Sequence, residues 1–285
     1  MRAHELALQN FAIAEHLLQL HQLLRDLRGH EANQPLSLAI CECLALPAGS
    51  ALQHAKNSHA VLSAHSAIPV PSCLTAPAGV DFLLRQAVLV SCSALESFFW
   101  DVLRENALTV VKAKGRKSDD SLKNVTLTLD DYMSLQSYTD PDERLREIIL
   151  KRFERGTLYD IAKLDEIAGI LTVPAKDFWK DVGKKTGLTE GEIKNRISAL
   201  VSRRNEITHR ADRPVDGTPA ADCDGHGLRP ITTAWVSTHV TTAKALVEAA
   251  SLIFTAAMVK LEAIIAIQAE QRLAQATLPP ASATP

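Results

Sequence analysis

Apolar positions along the 285-residue chain recur at three- and four-residue intervals, the repeat of helices with one buried face. In the first segment, about Glu5 to Arg28, Leu6, Ile13, Leu17, Leu20, Leu24 and Leu27 keep that repeat, with Asn10 as the single polar interruption. Such a stripe has to be covered, either by the rest of the chain or by a second copy. Gly29 ends this helix, and a second helical piece, about Leu36 to Lys56, is interrupted at Pro47 and Gly49. Residues 57–80 carry no charge, and Pro69, Pro71 and Pro77 forbid regular helix there. That stretch predicts a linker or a loop laid over a surface.

Asp81 then opens a long helix to about Lys114, with Leu84, Val88, Cys92, Leu95, Phe99 and Val102 on one face. Gly115 and the polar run after it close the helix. Shorter helices follow over about Leu129 to Gln136, Pro141 to Arg155, Leu158 to Leu171 and Ala175 to Thr186. Thr189 with Glu192 three positions on makes a capping box for the next helix, which runs through Ile193, Ile197, Leu200 and Val201 to about His209. Glycines and prolines between Asp212 and Pro230 predict a surface loop. The last helix, about Thr232 to Gln275, carries Val236, Val240, Ala243, Val247, Ala250, Phe254, Ala257, Leu261 and Ile264 on one seam. Only Asn124 to Leu129 alternates with period two, too briefly to found a sheet. The expected fold is all-α, organised as an N-terminal helical segment (1–56), a Pro-containing linker or surface loop (57–80), a helical domain (81–275) and a disordered tail (276–285).

Composition narrows the chemistry. A net charge of −2 excludes a globally basic nucleic-acid coat, though not a local basic patch. Five cysteines in so long a chain do not make a disulfide scaffold. Glu5 and Glu15 break the apolar run a signal peptide would need, and no window supplies about 18 consecutive apolar residues. A reducing cytoplasm and no membrane association are therefore expected. No Gly-rich phosphate loop, nucleophile elbow or zinc-protease helix is present, so no cofactor is expected. Cys41, Cys43, His54 and His59 offer zinc-type ligands, but their spacing fits no common finger; the expectation is surface histidines and no metal.

The informative stretch runs from Ser202 to Asp212. Arg204 falls at the centre of the stripe of Ile193, Ile197, Leu200 and Val201, where an unpaired guanidinium would cost several kcal/mol. It either pairs with an acid, for which Glu96 is the candidate, or lines a cleft that admits an anion. Asn205 and His209 are i,i+4 neighbours, so the amide can orient the imidazole. Arg204 and His209 lie about 140° apart on an ideal helix. They converge on one small group only if the helix ends near His209 or a second copy contributes its own pair. From Ile193 to Arg213 six basic residues face two acidic ones, a local surplus suited to a phosphate backbone.

Arg204-Asn205-Glu206-Ile207-Thr208-His209 resembles the signature of the HEPN superfamily, an Arg, a polar residue, a short gap and a His. Arg25 and His30 share the bare spacing, but Asp26 and Leu27 give them the wrong surroundings. Around the motif, Leu89 to Leu103, Thr157 to Leu188, Arg203 to Asp212 and Leu228 to Thr232 resemble successive parts of a RiboL-PSP-type HEPN domain, over about Asp81 to Glu270. A Gly often follows the family's His; Arg210 stands here instead. The resemblance implies a HEPN-like helical bundle pairing as a homodimer. It also implies metal-independent endoribonuclease activity, in a toxin–antitoxin or phage-defence setting, with an antitoxin or defence partner protein.

The residue types suit that chemistry. Attack by an RNA 2′-hydroxyl needs a proton acceptor near neutral pH, which His209 supplies. It needs a cation over the phosphorane, which Arg204 supplies bidentately. Asn205 orients His209 or contacts the phosphate, with Glu96 in support. Arg203, Arg210, Arg196, Lys194, Lys184 and Lys185 are the expected RNA contacts, and Phe178 and Trp179 are expected in the core. The products would be a 2′,3′-cyclic phosphate and a 5′-hydroxyl. The rival reading is a non-catalytic helical module that binds a partner protein or RNA, with Arg204 in a structural ion pair and His209 favoured by the helix C-terminus.

Overall fold

The computed structural model describes residues 2–26, 42, 51–54, 60–63, 79–118, 122, 125–151, 153, 160–214, 222–224 and 227–276. Its helices are α1 (Arg2–Asp26), α2 (Phe82–Lys114), α3 (Leu129–Ser137), α4 (Pro141–Lys151), α5 (Ile161–Ile170), α6 (Ala175–Thr186), α7 (Glu190–Arg210) and α8 (Thr233–Ala276). Strands β1 (Ala51–His54) and β2 (Ala60–Ser63) pair antiparallel with Ala51 opposite Ser63 and His54 opposite Ala60. The all-α class holds. The hairpin corrects two details, because β1 falls where a helix to Lys56 was expected and β2 where a linker was. Glu42 is helical, as expected for that piece. Cys41, Cys43 and His59 lie outside the described residues, as does all but the first residue of the tail.

The chain divides into two compact units. The first comprises Met1–Ala7, Leu95–Lys194 and Ala245–Pro285. Its core is aromatic: Phe99 meets Phe254 edge-on at 6.4 Å, Phe254 stacks on Phe178 at 5.4 Å, and Phe178 meets Trp179 edge-on at 5.0 Å. Each such pair adds about 0.5–1.5 kcal/mol beyond the area it buries. Phe178 and Trp179 are thus core residues, and the indole N–H of Trp179 is satisfied by Asp165. Gly187, left-handed at φ +71°, ends α6 by donating its N–H to the Gly183 carbonyl at 2.9 Å.

The second unit comprises Leu8–Ala94 and Asn195–Lys244. Leu84, Val88 and Cys92 of α2, Ile197 and Leu200 of α7, and Val236 and Val240 of α8 are buried there. Asp81, expected to cap α2, gives a carboxylate oxygen to His21 Nε2 at 3.0 Å, while its carbonyl accepts the Arg85 N–H at 3.2 Å. The other nitrogen of His21 meets Thr233 Oγ1 at 3.2 Å, tying α1 to the start of α8.

One expectation needs further correction. On α1 the covered face is Ala3, Ala7, Phe11, Ala14 and His21, not the leucine stripe; Leu6, Ile13 and Leu20 stay 41%, 50% and 42% exposed. Leu27 lies outside the described residues. By length and mean hydropathy Phe82–Lys114 and Thr233–Ala274 are long and apolar enough to cross a bilayer, although charged residues interrupt both and neither supplies 18 consecutive apolar positions. The apolar stretch is 61% buried within the protein in the first and 28% in the second.

Candidate functional site

The motif rides on α7, and its first turn is set locally. Thr189 Oγ1 accepts from the Glu192 N–H at 3.3 Å while Glu192 Oε2 accepts from the Thr189 N–H at 2.9 Å, the expected capping box. Ile193, Ile197 and Leu200 are fully buried; the stripe then opens, with Val201 and Arg204 half-buried.

The other end of α7 closes abruptly beyond His209. Ala211 and Asp212 adopt left-handed backbone at φ +49° and +59°, and the Asp212 N–H reaches back to the Glu206 carbonyl at 3.1 Å. A non-glycine residue in this region costs roughly 1–2 kcal/mol, so something must hold the turn. That something is a buried ionic cluster. Asp212, wholly inaccessible, accepts from Arg85 Nε at 2.6 Å and from Arg203 Nη2 at 2.8 Å. Arg85 Nη2 also donates to Asp224 at 2.8 Å and to the Arg229 carbonyl at 2.9 Å, and Arg203 Nη2 reaches that same carbonyl at 2.9 Å and the Pro230 carbonyl at 3.2 Å.

Arg229 closes the ring by donating its N–H to the Asp212 carbonyl at 3.0 Å and pairing its guanidinium with Glu206. Burial and the neighbouring Arg203 push the Arg229 pKa down from its ordinary value. Charges buried as deeply as Arg85 and Asp212 persist only when paired and hydrogen-bonded; each guanidinium here has a carboxylate, and the Arg229–Glu206 pair is the one partly open to water. The cluster therefore holds Asp212, Asp224 and Arg229 against the end of α7.

The predicted site residues divide by surroundings. His209 and Arg210 are exposed in the last turn of α7, where unpaired carbonyls favour a cation. Arg204 Nη1 donates to Asn205 Oδ1 at 3.1 Å, so the amide oxygen expected to orient His209 is engaged by its chain neighbour. Arg203, expected at a phosphate, turns its guanidinium inward to Asp212 and two carbonyls. Arg196 is half-buried with Nη1 on Thr242 Oγ1 at 3.2 Å. In the first unit, Lys194 pairs with Glu190 at 2.8 Å and sits over the Trp179 ring at 4.9 Å. Lys184 pairs with Asp181 at 2.8 Å, Lys185 is exposed, and Glu96 is half-buried on α2.

Near Arg196, His239 stacks on Trp235 with ring centroids 3.9 Å apart and donates from Nδ1 to the Trp235 carbonyl at 2.6 Å. Burial outweighs that hydrogen bond and, with Arg196 adding to it, lowers the His239 pKa below 6.5. The imidazole is neutral at pH 7.

Sequence reasoning did not find Arg85, Asp224 or Arg229. For Arg85 a signal existed. It stands seven residues before Cys92 on a buried stripe, so the argument that singles out Arg204 applies to it with equal force. Asp224 and Arg229 sit in a loop without periodicity, and nothing in their spacing pairs them with α2. Among the described residues no group of three or more His, Cys, Asp or Glu is arranged to hold a metal ion.

The model of the RiboL-PSP-HEPN family matches residues 57–224, more than half of the chain. The chain belongs to this family. Neither a curated protein nor a solved structure matches it. The HEPN match begins within the uncharged stretch before α2, earlier than the resemblance that starts at Asp81. It ends at Asp224, so Leu228 to Thr232 and α8 fall outside it. Arg204, His209 and the Arg85–Asp212–Asp224 part of the cluster all lie inside. Membership makes this a HEPN-type ribonuclease or RNA-related module.

Proposed function

We propose that the protein is a metal-independent HEPN endoribonuclease in which His209 takes the proton of an RNA 2′-hydroxyl and Arg204 holds the charge that gathers on the phosphorane. The observation that carries the reading is the end of α7: the helix stops one residue past His209 and leaves the imidazole exposed within a turn and a half of Arg204. A neutral imidazole accepts the proton and returns it to the 5′-oxygen that departs, which yields a 2′,3′-cyclic phosphate and a 5′-hydroxyl. The guanidinium strengthens its hold as negative charge develops. Asn205, through its bond to Arg204, limits the positions that guanidinium visits. Exposed Arg210 adds a cation beside the imidazole for the RNA backbone.

Two copies of the chain would bring two motif helices to one cleft, since Arg204 and His209 are separated by about 140° on one helix. The setting in this proposal is the reducing cytoplasm, as a toxin or phage-defence effector, so expression should arrest growth. The test is to incubate purified protein with single-stranded RNA in EDTA and identify the new 3′ ends. Cyclic phosphate ends made by the wild type, and by neither Arg204→Ala nor His209→Ala at unchanged oligomeric state, support the reading. Cleavage by either variant at the wild-type rate refutes the catalytic assignment. Absence of cleavage with retained RNA or protein binding leaves the non-catalytic module, in which His209 and Arg210 complement the α7 C-terminus.

A further inference from the structure

The first unit holds an open groove of about 730 Å³ that the motif helix does not touch. Its floor is one face of α8 from Leu252 to Ile264, faced by Thr172, Val173 and Pro174 between α5 and α6. The floor is aliphatic, and two of its residues are costly to leave in water: Leu252 is 59% exposed and Ile264 40%. Four lysines line the same groove, Lys114 at the end of α2, Lys184 and Lys185 on α6 and Lys260 on α8. The single acid among the lining residues, Asp181, is already paired with Lys184 at 2.8 Å.

We infer that this groove receives an acidic amphipathic helix of a partner protein. Leu252 to Ile264 spans about 18 Å, three turns of a bound helix lying alongside. Such a helix would set its apolar i, i+3, i+4 and i+7 side chains on the floor and direct flanking carboxylates to Lys114, Lys185 and Lys260, with Lys184 shared with Asp181. Among the described residues the lining holds no aromatic ring on which a base would stack and no arginine to grip a phosphate bidentately, which favours carboxylates on an apolar body.

The test uses the full chain and a labelled, N-acetylated peptide of about 14 residues, with leucines at helical spacing and glutamates elsewhere. Its controls are the same peptide with lysines for the glutamates, a single-stranded RNA oligonucleotide and phosphatidylglycerol vesicles. Fluorescence anisotropy should show saturable micromolar binding of the glutamate peptide that weakens with salt. Leu252→Asp and the double variant Lys184→Glu/Lys185→Glu should each weaken it by about tenfold or more, with circular dichroism unchanged; the double variant should melt slightly lower, because it gives up the Lys184–Asp181 pair and places two acids at the end of α6. Equal binding of the lysine peptide, indifference to both variants, or no saturable binding up to about 1 mM overturns the inference. It is overturned equally if RNA or vesicles displace the peptide and lose their own binding in the same variants.

Discussion

Arg85 and Asp212, 127 residues apart in the chain, meet through a 2.6 Å hydrogen bond that solvent hardly reaches. The contact joins the first turn of α2 to the residue that terminates the motif helix, so the end of α7 is set by a group far from the motif. Arg85→Met should destabilise the protein by about 3–5 kcal/mol, because it leaves Asp212 and Asp224 buried with fewer counter-charges. Urea denaturation measures the loss. RNA cleavage assayed well below the unfolding midpoint should also fall if the position of His209 depends on this pair.

Ala211 should respond in the opposite direction. It holds left-handed backbone at φ +49° without the freedom of a glycine. Ala211→Gly should stabilise by about 0.5–1 kcal/mol, the steric relief less the added chain entropy. A rise in melting temperature checks it; a fall would mean that the turn is not left-handed in solution.

His239 gives a pH dependence with a definite sign. Its pKa is lowered in the folded state, chiefly by burial, from an ordinary value of 6.5. The unfolded chain therefore binds the proton more readily. The stabilisation from keeping this ring neutral is complete above pH 6.5 and is lost as pH falls through the folded value. Denaturation curves between about pH 7.5 and 5 should show wild-type stability falling more steeply than that of His239→Phe, which has no proton to gain.

The capping box offers a local test. Thr189→Ala removes the acceptor of the Glu192 N–H at the exposed start of α7 and should cost about 1 kcal/mol. Chemical denaturation reads the cost directly, and RNA cleavage should be unchanged because the end proposed as catalytic lies five turns away along α7.

Much of the fold was legible because helices write their buried face into local spacing. Leu84, Val88, Cys92, Leu95, Phe99 and Val102 are all inaccessible, as their repeat required, and α6 begins and ends where the pattern placed it. The motif was legible for the same reason, Arg204 and His209 being five positions apart on one helix. The α1 stripe shows the limit. Periodicity identifies an apolar face but not which of two adjacent faces finds a partner, and there the alanine face was chosen.

By itself the sequence determined the helices, the capping box of α7 and the Arg204–His209 signature of a HEPN chain, all of which depend on residues within a few turns of one another. The tertiary structure alone decided that Arg203 faces inward and that Arg85, Asp212, Asp224 and Arg229 lock the end of the motif helix. Partners as far apart as Arg85 and Asp212, or joined through a loop without periodicity, leave no periodic trace, and a buried charge reveals its counter-charge only when folding removes both from water.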